Sequence, residues 1–107
     1  MIALSTFLKF PDVGGAVLGD LTGVYLDAVR EPDGEAIAAV MGFVASALIQ
    51  AGEHLGLGRL KRVAVGGEKR ASLLVLDGPH VVAIQVHPPR SLGAVEKQVE
   101  LSIPGQG

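Results

Sequence analysis

The sequence predicts an α/β (α+β) sandwich of order α-β-β-α-β-β-β-α, with one five-stranded antiparallel sheet, a long helix on one face and two short terminal helices on the other. Three observations carry this. Short runs of small and branched apolar residues are separated by glycine-bearing turns, the pattern of antiparallel strands. One uninterrupted stretch, from about Gly34 to Leu55, has helical periodicity and stops at Gly56-Leu57-Gly58. The runs Leu73-Leu74-Val75-Leu76 and Val81-Val82-Ala83-Ile84 are continuously apolar, so both faces of those strands must be covered. Five antiparallel strands cannot hide both faces alone, which assigns the long helix to one side and the terminal helices to the other.

Taken in order, residues 2–9 read as a short helix burying Ile2, Leu4, Phe7 and Leu8, and Pro11 ends it. Gly15–Gly19 and Val24–Val29 are strands joined by the turn Asp20-Leu21-Thr22-Gly23, a hairpin. The loop Arg30-Glu31-Pro32-Asp33-Gly34 leads into the long helix. The runs 59–65, 70–76 and 80–86 then form a meander, broken at Gly66-Gly67 and Asp77-Gly78-Pro79. Pro88 and Pro89 end the last strand. Ser91 is placed to cap a helix from Leu92 to about Ile103, with Glu96, Lys97 and Glu100 on its wet side. Residues 1–103 thus form one domain, and Pro104-Gly105-Gln106-Gly107 is expected to be a frayed, disordered tail.

Composition narrows the function. With 107 residues, a hydrophobic fraction of 49%, three Phe, one Tyr and no Trp, the single core must be built from Val, Leu, Ile and Ala. A net charge of -2 gives no basic footprint for nucleic acid. Without cysteine there is no disulfide, thiolate nucleophile or thiolate metal site. Met1–Ser5 lacks a basic start and a small-residue cleavage site, so the expected compartment is the cytoplasm. Ala36–Gly52 is free of charge but diluted by Ala, Gly, Ser46 and Gln50, so no membrane insertion is expected.

The long helix is the informative element. Turned at about 100° per residue, it shows one stripe of Ile37, Val40, Met41, Val44, Leu48, Ala51 and Leu55, assigned to the sheet. The opposite face reads Ala39, Gly42, Ser46 and Gln50, flanked by Ala38, Ala45 and Ile49 on one side and Phe43 on the other. A solvent-facing helix surface without charge is unusual in a monomer. This face is therefore expected to meet protein, with Ala39, Gly42, Phe43, Ser46 and Gln50 toward a partner and Ala38, Ala45 and Ile49 toward a second copy. On this assignment Gly42→Arg should spare the fold and block association, whereas Val44→Arg should unfold the chain. The branched edge strand at 60–65 adds Leu60, Arg62 and Ala64 to the expected dimer interface.

Catalytic patterns are missing. There is no G-x-x-x-x-G-K-[ST] loop and no G-x-S-x-G elbow; Val13-Gly14-Gly15 and Val65-Gly66-Gly67 read as bulges and turns. Ser72 has no base beside it. His80 and His87 are an odd number of residues apart and so point to opposite faces, while His54 suits a helix C-terminus. Glu31, Asp33 and Glu35 favour the start of the long helix electrostatically. Of the arginines that could act in trans on a partner's phosphoryl transfer (Arg30, Arg59, Arg62, Arg70 and Arg90), Arg62 and Arg70 read instead as edge-strand protection. No catalytic residue, metal ligand or cofactor is expected.

The segments Phe10-Pro11-Asp12-Val13-Gly14-Gly15-Ala16-Val17-Leu18, Gly23-Val24-Tyr25-Leu26, Ala36 to Leu57, Leu60-Lys61-Arg62-Val63-Ala64-Val65 and Leu73-Leu74-Val75-Leu76 together resemble the Roadblock / dynein light chain family. The likeness is greatest to its bacterial MglB-like branch and covers about residues 2–103. It implies a profilin-like Roadblock sandwich and a homodimer whose long helices lie side by side, with the third strands joining two sheets into one. It also implies a Ras-like small GTPase bound on the helix-pair face, regulated without a donated arginine. A ligand-sensing domain of the PAS or profilin-like kind and a purely structural dimeric scaffold remain alternatives.

Overall fold

A computed structural model describes residues 3–107, so the expected burial of Ile2 falls outside the described residues. The elements follow the expected order. A 3-10 helix at Leu4–Lys9 precedes β1 (Val13–Asp20), β2 (Tyr25–Val29), α1 (Gly34–His54), β3 (Arg62–Gly66), β4 (Ala71–Asp77) and β5 (His80–Val86). A 3-10 turn, Pro89–Ser91, leads into α2 (Leu92–Ser102). The β1–β2 hairpin and the β3–β4–β5 meander each form locally. They are joined where β1 pairs antiparallel with β5, giving the order β2-β1-β5-β4-β3. β2 and β3 are therefore the two edges. The register slips between Val13 and Gly15, a bulge that lets Gly15 pass beneath the carbonyls of Val29 and Arg30, each 2.9 Å from where a Cβ would sit.

The sheet carries a core on each face, as the continuous apolar runs of β4 and β5 require. On one side Leu73, Val75, Ile84 and Val86 pack against Phe7 of the first helix and Val95 and Val99 of α2. On the other, Val17, Leu74, Leu76, Val81 and Ala83 meet Ala38, Met41 and Ala45 of α1. The first core is filled by large side chains from both layers. In the second, the helix supplies mostly small ones, so α1 lies close to the sheet.

That closeness overturns the facial assignment of the long helix. The inner face is Gly34, Ala38, Met41, Gly42, Ala45 and Gly52. Val40 is 64% exposed and Leu55 72%, although the sequence placed both in the core stripe. Gly42, expected outside, rests on the β1–β2 turn, where a Cβ would meet the Gly23 nitrogen at 2.6 Å and its Cα at 2.7 Å. Ser46 donates its hydroxyl hydrogen to the Leu21 carbonyl at 2.8 Å. A helix apolar on all sides has no unique hydrophobic direction, and backbone clearance over the turn chose the small-residue side. By length and composition α1 is apolar enough to cross a bilayer, but in this fold it lies across the sheet.

Two further expectations change. Ser91 makes no side-chain cap on α2 and donates instead to Asp12 Oδ2 at 2.7 Å, tying α2 to the start of β1. In the segment 104–107, expected to fray, one residue is set against the body of the domain. Gln106 is only 3% exposed and donates from Nε2 to the Leu76 carbonyl at 3.2 Å.

Candidate interaction surface

Of the residues the sequence assigned to a partner, Ala39, Phe43 and Gln50 are exposed, whereas Gly42 is buried and Ser46 half-buried and bonded within the chain. Of those assigned to the dimer interface, Ala38 and Ala45 are fully buried under α1 and cannot touch a second copy. Ile49 and Leu60 are half-buried, and Ala64 is exposed. The Arg62 side chain, 16% exposed, turns away from the edge and ion-pairs with Glu96 at 3.0 Å and with Glu100.

The structure adds residues the sequence had assigned to the core. The outer face of α1 carries Val40 beside the expected Phe43, the latter 77% exposed, and Leu48 is partly uncovered. On the flank toward β3, Ile37 and Val44 overhang a groove of about 380 Å³ whose other wall includes Val65 and Leu74. Ser72 donates to Gln85 Oε1 at 2.8 Å on its floor, and Arg70 stands at its rim, 3.9 Å from Glu31. Leaving residues of this size uncovered forgoes roughly 1.5–3 kcal/mol apiece. Residue size was the usable signal: the Gly/Ala face of a helix is the one that can approach another backbone, here inside the chain.

The groove runs out to the free edge of β3. The Leu76 amide donates to the Lys61 carbonyl at 2.9 Å, and the Gly67 amide to the Arg70 carbonyl at 3.1 Å. Antiparallel ladders alternate, so Val63 and Val65 bond toward β4 while the amides and carbonyls of Arg62 and Ala64 point outward, without a backbone partner among the described residues. The β3–β4 register has no shift, and β3 contains no proline. Because the Arg62 charge is folded under toward α2, the edge is not blunted in the way the sequence suggested.

Other hollows have different chemistry. One, beside Tyr25 and the start of α1, is ringed by the carboxylates of Glu31, Asp33 and Glu35. Another lies among Ile49, Glu53, Arg59 and Leu60. Among the described residues no three His, Asp or Glu side chains converge as metal ligands. His54 and His87 have their Nδ1 atoms on the backbone carbonyls of Gln50 and Lys69.

A single antiparallel sheet covered by helices on both faces, with an open third-strand edge and a long apolar helix beside it, defines a fold of the Roadblock/LC7 type. A Roadblock/LC7 domain from Streptomyces avermitilis matches it with a TM-score of 0.72 and 18% identity, over 92% of this chain and 92% of that one. MglB of Myxococcus xanthus gives 0.76 and 16%, over 90% of this chain and 81% of its own. An MglB solved in a tetrameric arrangement gives 0.71 and 17%, over 89% and 77%. No protein-family model matches the chain, and no curated protein matches it. The five-stranded Roadblock/LC7 fold expected from the sequence is the fold observed.

Proposed function

We propose that this chain is a non-catalytic regulatory domain that works as a homodimer and docks a Ras-like small GTPase. The observation that carries the reading is the continuity of the open β3 edge, the groove and the bulky apolar face of α1 on one side of the molecule. Two β3 edges paired antiparallel about a two-fold axis would make one sheet of two. The same operation carries Ile37, Val44 and Leu48 of each α1 toward the mate and covers both grooves. It leaves Ala39, Val40, Phe43 and Gln50 outward on a joint helix surface, where an aromatic anchor suits a protein partner. The tetrameric arrangement of one MglB supports self-association as a habit of this fold. Arg62 is committed to two carboxylates, so it is a poor candidate for donation to a partner, and regulation would act through the GTPase's own residues.

The test is sedimentation of the purified chain, followed by capture of small GTPases loaded with GTP or GDP. A dimer that retains a GTPase in one nucleotide state, with no GTP cleavage by the chain alone, is the expected result. A mass near 11.0 kDa at micromolar concentration would remove the dimer. The Ser72–Gln85 pair on the groove floor favours a second reading, a monomeric sensor of a small, mainly apolar ligand, and that mass would move the weight to it.

A further inference from the structure

We propose that the C-terminal segment Pro104–Gly107, clasped by Arg62, sets the strength of self-association by holding β3 as a straight, open edge; this rests on the β3-edge reading above. Among the described residues β3 has a backbone neighbour on one side only, and above it the groove is open. What steadies it is beneath. Arg62 Nη1 donates to the Gln106 carbonyl at 2.6 Å, and Nε donates to Glu96 Oε2 at 3.0 Å, with Nη2 on Glu100. Gln106 in turn reaches the Leu76 carbonyl, and Lys61 Nζ donates to the Gly107 carbonyl. Lys61 and Leu76 are themselves joined where β3 and β4 meet.

The clasp therefore fastens α2, the C-terminal segment and the first residue of β3 into one unit. The outward amide and carbonyl of Arg62 belong to the residue whose side chain is the hub. An edge strand that must be ordered at the moment of association binds more weakly than one already fixed, because its conformational entropy is lost on binding. Opening the clasp frees the start of β3 and leaves Glu96 and Glu100, one turn apart, without their shared cation. Arg62 and Gln106 are thus positioning residues for the interface rather than contacts in it.

The experiment compares the full chain with Gln106→Ala and Arg62→Met by sedimentation, circular dichroism and amide hydrogen exchange. The expected result is a dimer dissociation constant raised about tenfold or more, faster exchange at the Val63 and Val65 amides, and unchanged exchange in β1 and β5. Should Arg62→Met lose its circular dichroism signal, Gln106→Ala decides alone. An unchanged dissociation constant in Gln106→Ala, or a weakened dimer with β3 exchange unaltered, overturns the clasp. A wild-type chain that is monomeric overturns the β3-edge reading, and the clasp with it.

Discussion

Gly42 of α1 and Gly23 of the β1–β2 turn meet backbone to backbone, so closely that a methyl group on Gly42 would lie 2.6 Å from the Gly23 nitrogen. Gly23 is itself held at a φ of +90°, a conformation glycine adopts without strain, and its amide donates to the Asp20 carbonyl at 3.0 Å. This contact fixes the rotation of α1 about its axis, and with it the residues left exposed to solvent.

Gly42→Ala should destabilise the chain by about 1–3 kcal/mol through overpacking, although alanine gains up to about 1 kcal/mol of helix propensity over glycine. Gly42→Arg should prevent folding. Gly93→Ala in α2, where a Cβ meets nothing within 4 Å, should instead be neutral or slightly stabilising. Urea unfolding of the three variants checks this, and a stable Gly42→Arg would invert the faces of α1.

Phe43→Asp and Val40→Arg should change stability by less than about 0.5 kcal/mol, since both side chains already stand in solvent. Both should lose capture of the GTPase. Wild-type retention by both variants in the same pulldown would show that the partner binds elsewhere.

Ala64→Pro should separate the dimer while leaving the protomer folded. The Ala64 amide points away from β4, so proline removes an edge donor without breaking the internal ladder. Sedimentation should report a mass falling toward 11.0 kDa with the circular dichroism spectrum retained. In the wild type, exchange at the Arg62 and Ala64 amides should slow as concentration rises.

The Asp20 carboxylate is held below its ordinary pKa of 3.8, first by the Thr22 hydroxyl at 2.6 Å and then by the Val24 amide at 3.1 Å. A carboxylate whose folded pKa lies below its unfolded one adds stability above the unfolded value and loses it as pH falls through the folded one. Wild type should therefore lose more stability than Asp20→Asn between about pH 6 and about pH 3. Parallel urea midpoints for the two chains across that range would refute this origin.

Local chemistry determined the order of elements. Pro11, Asp20-Leu21-Thr22-Gly23, Gly56-Leu57-Gly58 and Asp77-Gly78-Pro79 stop or turn the chain wherever they occur, and the apolar runs of β4 and β5 need cover on both faces whatever supplies it. The terminal segment was less legible. Pro104-Gly105-Gln106-Gly107 has no periodicity of its own, and its place depends on Arg62 and Leu76, more than twenty-five residues away in sequence.

The candidate surface was half legible in its exposure. An uncharged helix flank and a branched third strand pointed to protein contacts, and Ala39, Phe43, Gln50 and Ala64 stand exposed as expected. Which way α1 turned was decided only by tertiary structure. Hydrophobicity favours burying Val40 and Leu55, but the β1–β2 turn comes so near that only a glycine fits against it at position 42, which sets Ala38, Met41 and Ala45 on the buried side of the helix. Steric exclusion between backbones rises within tenths of an ångström, whereas apolar burial is non-directional and could be satisfied by either face.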